Sequence, residues 1–103
     1  MSTPREIFEG FVQNPPDLGT AKGVFQFVVT GDDGGKWYVD STGDTVVIGD
    51  GMHDDPGCTF TCADKDLVAM ATGSMPSQMA FMLGKLRVDG DMMLAMQLQS
   101  VFG

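Results

Sequence analysis

The stretch GKLRVDGDMMLAMQLQSVFG, Gly84 to Gly103, joins a short amphipathic strand to an uncharged helix rich in methionine. Leu86 and Val88 alternate with Lys85, Arg87 and Asp89, the period of two required of a strand with one buried and one wet face. Gly90 breaks the strand. Asp91 then serves as an N-cap, its carboxylate placed to accept from the free amides of the next turn. Met92 to Phe102 carries no charge. At about 100° per residue, Leu94, Ala95, Leu98, Val101 and Phe102 share one arc, which predicts a core face. Met92, Met93 and Met96 fall elsewhere on the wheel, among Gln97, Gln99 and Ser100, where a lone soluble domain ordinarily carries Lys or Glu. The pattern predicts that something apolar meets those methionines.

Outward from this stretch, the methionine excess proves local: seven of the nine methionines lie between Met70 and Met96. Met75, Met79, Met82 and Leu83 share one side of a short helix that Pro76 starts. An unbranched, polarizable thioether suits a surface that adapts to guests of varying shape, so two helices with methionine stripes predict an apolar ligand cavity. Flexible core filler is the plainer reading of any single Met. A docking face for a partner helix or a second copy of the chain uses the same residues.

Further back, CTFTC reads as a strand with Cys58, Phe60 and Cys62 on one face. Four strand steps span about 13 Å, beyond the roughly 7 Å limit between bridged Cα atoms, so the two cysteines do not pair within it. They are expected to be buried, reduced thiols.

The segment TFTCADKDLVAMATGSMPSQMAFMLGKLRVDGDMMLAMQLQ, Thr59 to Gln99, resembles the signature half of the sterol carrier protein 2 domain family. The resemblance is carried by Ala63, Asp64 and Asp66 opening a helix, by Gly73 and Met75, by Ala80 and Phe81, by Gly84 to Leu86, and by Gly90 to Met96. The N-terminal half fits more loosely, in the right order. The implied fold is a layered α/β domain: a five-stranded, mostly antiparallel sheet covered on one face by helices that enclose a hydrophobic tunnel. Members are carriers of fatty acid, fatty acyl-CoA, phospholipid or sterol, with no chemistry and no cofactor of their own. The C-terminal helix lines or gates the tunnel in this family. Carried onto this chain, the expected ligand-binding residues are Phe8, Phe11, Phe27 and Met70 together with Met75, Met79, Met82 and Leu83. Met92, Met93, Met96 and Gln99 complete that set from the last helix. The sequence ends Val-Phe-Gly directly after that helix, so a more open tunnel is expected, and this ending differs from the peroxisomal Ser-Lys-Leu type signal of many animal members.

In the N-terminal half, Thr3, Pro4 and Glu6 open a helix: an N-cap, a proline at the first helical position and a glutamate three residues past the cap. Ile7, Phe8, Phe11 and Val12 form its apolar stripe, and Asn14, Pro15 and Pro16 end it. After a loop through Lys22, strands are predicted at Val24 to Thr30, Lys36 to Ser41 and Thr45 to Ile48. GDDGG, Gly31 to Gly35, supplies a hairpin turn, and short turns favour antiparallel pairing. Phe25, Phe27 and Val29 share a face, as do Trp37 and Val39.

Composition predicts one domain over residues 1–103, since a chain of this size buries roughly two thirds of its unfolded surface. No apolar run approaches the roughly 20 residues of a membrane-spanning helix, and Met1 to Glu9 lacks the apolar block of a secretory signal. A cytoplasmic location is expected. Fourteen acidic groups against six basic ones, a net charge of −8, argue against nucleic acid, because no Lys or Arg cluster exists to release counterions. The same field limits membrane contact to a transient one through an apolar rim.

Signs of catalysis are weak. His53 is the single histidine, in the loop DGMHDDP beside Asp54 and Asp55, and Ser74 lacks the Gly-x-Ser-x-Gly elbow of a serine nucleophile. GDDGG and DGMHDD cluster oxygen ligands, but neither has the spacing or closing Glu of a calcium loop. No catalytic and no metal residue is assigned. Arg5, Lys22, Lys85 and Arg87 are the scarce cations available to a ligand carboxylate, with Lys85 and Arg87 expected to face solvent on their strand.

Overall fold

The computed structural model describes residues 3–13 and 22–102, with side chains as far as Gln97. In chain order the elements are α1 (Pro4–Gln13), β1 (Val24–Thr30), β2 (Gly35–Asp40), β3 (Val47–Asp50), β4 (Cys58–Ala63), α2 (Asp64–Ala71), α3 (Ser77–Met82), β5 (Leu86–Gly90) and α4 (Met92–Phe102). Five strands make one sheet in the order β3-β2-β1-β4-β5. Tight turns make β1–β2 and β2–β3 antiparallel, and β4–β5 is antiparallel as well. β4 returns to lie parallel to β1, a pairing that needs the long connection supplied here by two intervening strands and a loop.

Alternation along the strands builds one apolar face. Phe25 and Phe27 of β1 sit opposite Val39 and Trp37 of β2 on one side and Cys58 and Phe60 of β4 on the other. Leu86 and Val88 of β5 extend it opposite Cys62 and Phe60. Phe8 of α1 stacks on Trp37, with centroids 4.8 Å apart and planes 11° from parallel, and sits 5.2 Å from the Phe27 ring. Such ring pairs contribute about 0.5–1.5 kcal/mol beyond their buried area. Leu67 of α2, Ala80 of α3 and Ala95 of α4 complete the cluster.

Both predicted N-caps form. Thr3 Oγ1 accepts from the Glu6 amide at 3.3 Å, and Asp91 Oδ1 accepts from the amides of Met93 and Leu94 at 3.0 and 3.2 Å. The third strand lies two residues later than expected, at Val47–Asp50 instead of Thr45 to Ile48. The register explains the shift: pairing Val39 with Ile48 puts Ile48 on the apolar face, and Thr45 and Val46 stay in the turn. At Gly49 a Cβ would come within 2.3 Å of the Tyr38 ring, which lies across this glycine. The predicted helix stop at Asn14, Pro15 and Pro16 lies outside the described residues, as do the side chains of Leu98, Gln99, Val101 and Phe102.

The opposite face of the sheet is covered in part by the loop after β3. Gln26, fully buried, donates its amide to the carbonyls of Trp37 and Gly51, each at 3.0 Å, and accepts from the His53 amide at 2.8 Å. Pairing at both ends of the amide removes the cost of burying it.

Cys58 and Cys62 are buried and unbridged. Burial first, then the charge of Asp91, pushes the Cys58 thiol up to about 12, and burial with Asp66 pushes the Cys62 thiol up to about 11.

Candidate functional site

Between α1, α2 and the sheet lies an apolar cavity of about 90 Å³ that opens to solvent. α1 contributes Ile7, Phe8 and Phe11, which helical spacing sets on one side. The pleat raises Phe27, Phe60 and Leu86 into it from three neighbouring strands. α2 closes it with Leu67, Met70 and Ala71, again at i, i+3 and i+4. Ser77, at the start of α3, is the one polar residue of the wall among the described residues, and its buried Oγ has no hydrogen-bond partner among them. Among the described residues, no charged one lines the cavity. Its chemistry is therefore that of a hydrocarbon container.

Of the ligand-binding set expected from the sequence, Phe8, Phe11, Phe27 and Met70 stand in this wall. Met75 packs against the core cluster beside it. Apart from Gln99, whose side chain lies outside the described residues, the others are turned outward. Met79, Leu83 and Met92 are exposed, and so, at 77%, 75% and 65%, are Met82, Met93 and Met96. The cause is which residues dock: Ala80 seats α3, while Ala95 and the half-buried Leu94 seat α4. Small alanines bring these helix backbones close to the core and leave the thioethers on the far side. The methionine stripes thus form an outer face.

The remaining wall residues were not in that set. Ile7, Phe60 and Leu86 lie on apolar faces that periodicity marks as core, and nothing in periodicity separates a core residue from a cavity-lining one. Ser77 has no sequence signal at all.

The cations lie elsewhere. Arg5 borders a separate groove between α1 and the β2–β3 edge, together with Glu9 and Asp50. Lys22 Nζ donates to the Gly43 carbonyl at 3.4 Å, and Arg87 meets Asp89 at 3.4 Å on the solvent side. His53 is occupied within its loop. Its Nδ1 accepts from the Asp55 amide at 3.1 Å, its Nε2 lies 3.7 Å from the Asp40 carboxylate, and its ring meets Tyr38 edge-on. The Asp40 carboxyl is held below the usual range by the Thr42 hydroxyl and amide, with a smaller part from His53. Among the described residues no cluster of three metal-ligating side chains occurs, and no helix is long and apolar enough to cross a membrane.

The model of the SCP-2 sterol transfer family matches residues 6–103. Hydroxysteroid dehydrogenase-like protein 2 of Xenopus tropicalis is 35% identical over 91 residues, which are 87% of this chain and 22% of that protein. Sterol carrier protein 2 of Rattus norvegicus is 46% identical over 83 residues, 77% of this chain and 15% of that protein. The chain thus spans under a quarter of the length of either relative. Palmitated SCP2L2 from Aedes aegypti, solved in solution, superposes with a TM-score of 0.80 at 25% identity, over 98% of this chain and 95% of that one. A match that runs from the first turn of α1 to the end of the chain, on a fold shared with a solved relative, places the chain in the SCP-2 sterol transfer family.

Proposed function

We propose that this chain is a non-catalytic lipid carrier of the cytoplasm, a single domain that takes fatty acid, fatty acyl-CoA, phospholipid or a sterol-like guest and passes it between membranes or enzymes. The observation that carries this reading is the cavity under α1 and α2, lined among the described residues by aromatic and aliphatic side chains and by no charged group. The palmitated relative supports it. Ligand pockets commonly measure about 300–1,000 Å³, and a cavity of about 90 Å³ holds only part of a long chain. The rest of the guest extends through the mouth, and Met79, Met82, Met92 and Met96, exposed in this structure, must fold over it to bury it. Burying about fifteen methylenes at about 0.8 kcal/mol each yields about 12 kcal/mol before the cost of lost motion, enough for micromolar binding.

The exposed methionines also favour a second reading, a dimerisation face, which the charge of −8 on each copy opposes. Native mass spectrometry of the purified protein, with solvent extraction of its lipids, separates the two. A bound lipid on a monomer supports the carrier. A lipid-free dimer, with no uptake of a fluorescent fatty acid on titration, overturns it.

A further inference from the structure

Sulfur is arranged in this chain in the reverse of its usual order of reactivity. A cysteine meets oxidants as the thiolate, and only where they can reach it. Cys58 and Cys62 are buried in the sheet, and that burial above all pushes their thiols up to about 12 and about 11, so at neutral pH both stay protonated and shielded. The thioethers are open instead. Met79 and Met82 of α3 and Met92, Met93 and Met96 of α4 are exposed, on two helices that carry no charged residue. Met70 and Met75 are half-buried against the core.

A thioether has no proton to lose, so access alone governs its reaction with a peroxide. The sulfur lone pair takes one oxygen of the peroxide and the O–O bond breaks. The other oxygen leaves as water, or as an alcohol where the peroxide is organic, so sulfur is oxidised and the peroxide reduced by one electron pair. The sulfoxide formed is polar where the thioether was apolar. Folding it over hydrocarbon carries the cost of burying a polar group without a partner.

We propose that the methionine face of α3 and α4 is an oxidation site: hydrogen peroxide or a lipid hydroperoxide converts these thioethers to sulfoxides and loosens the protein's hold on long-chain guests, and a thiol-dependent sulfoxide reductase restores it. The loosened hold rests on the lipid-carrier reading above, in which this face folds over the part of the guest outside the cavity; the place of oxidation does not. Met52 is a built-in control, exposed on the loop that covers the other face of the sheet.

The test treats the purified protein with hydrogen peroxide, stops the reaction with catalase, and divides the sample between peptide mass mapping and titration with long-chain and short-chain fluorescent lipids. Oxygen is expected on Met82, Met93 and Met96 before Met70 and Met75, with Cys58 and Cys62 unmodified. Affinity for the long lipid falls about tenfold, equivalent to about 1.4 kcal/mol, in step with oxidation of α3 and α4. The short lipid is nearly unaffected, and methionine sulfoxide reductase with dithiothreitol reverses the loss. Met52→Leu keeps the whole response, whereas the combined variant Met79→Leu/Met82→Leu/Met92→Leu/Met93→Leu/Met96→Leu binds equally with and without peroxide. Undiminished long-chain affinity after these methionines are oxidised, a loss that follows Met70 or unfolding by circular dichroism, or earlier oxidation of either cysteine overturns the proposal and leaves the carrier intact. Failure of the untreated protein to bind either lipid overturns the carrier reading, and the loosened hold with it.

Discussion

The sheet face under α1 and the outer face of α3 and α4 are both built from large apolar side chains, with opposite fates. Phe8, Phe25, Phe27 and Phe60 are buried, whereas Met82, Met93 and Met96 face outward. On the sheet, strand alternation and five-strand pairing leave no choice of face: a slip of β1 by one residue would turn both Phe25 and Phe27 to the opposite face. On the short helices, the choice is made by whichever residue seats the backbone, and small Ala80 and Ala95 take that place. Rigid rings thus form the container, and flexible thioethers form its surroundings.

That contrast is broken most directly by truncation. Phe8→Ala removes a ring stacked on Trp37 and part of the cavity wall, and is expected to cost about 3–5 kcal/mol in chemical denaturation. Met93→Ala, on the outer face, should stay within about 0.5 kcal/mol. Similar losses at the two positions would mean that Met93 is buried in solution.

The thiols probe the same sheet face through pH. Both folded-state values are raised from 9.0, to about 12 at Cys58 and about 11 at Cys62. Between about pH 9 and 11 the unfolded chain has therefore shed thiol protons that the native chain keeps, so stability falls as pH rises. The stabilisation is whole below pH 9.0 and is lost as pH rises through the folded-state values, with a slope approaching about 1.4 kcal/mol per pH unit per thiol. Denaturation series at pH 8 to 11 on the parent and on Cys58→Ala/Cys62→Ala should show the parent's steeper alkaline limb. Parallel limbs, or rapid native-state labelling by a thiol reagent, would contradict the burial.

Chain length sharpens the comparison between wall and surroundings. With only part of a guest enclosed, Met96→Glu should weaken binding of a sixteen-carbon acid about tenfold, about 1.4 kcal/mol, through desolvation and repulsion of the new carboxylate. A short guest held wholly by Phe8, Phe27 and Phe60 should be nearly unaffected. Equal affinity of parent and folded variant for the long acid would remove the methionines from the ligand path.

Much of this arrangement was legible in the residues. Alternation in VFQFVVT and CTFTC named the buried face, Asp91 and Thr3 announced helix starts, and the motifs from Ala63 to Met96 pointed to the family. Two things were not. The methionine wheel of the last helix showed an apolar stripe but not whether a neighbour covers it, since that depends on how closely Ala95 draws the helix in. Gln26, placed by alternation on the wet side of β1, is buried because a loop from beyond β3 folds over it, a contact 27 residues away in sequence at His53. Pairing between distant backbone groups leaves no periodic trace.

The smallest expected effect is at His53, where the imidazole and the backbone have separate roles. The backbone amide holds the Gln26 oxygen at 2.8 Å and so fixes the loop, and any residue other than proline can supply it. The ring contributes a 3.7 Å approach to Asp40, partly exposed to water, and an edge contact with Tyr38. A partly exposed ion pair is worth about 0–1 kcal/mol. His53→Ala should therefore leave lipid affinity within about twofold, under about 0.5 kcal/mol, and should lower stability by about 1 kcal/mol or less. The cavity lies on the other face of the sheet from this loop, so the ring has no route to the ligand except through the fold. A tenfold fall in lipid binding in a fully folded His53→Ala protein, or a metal ion bound in equal amount to the parent and lost in the variant, would instead give the loop a functional role of its own.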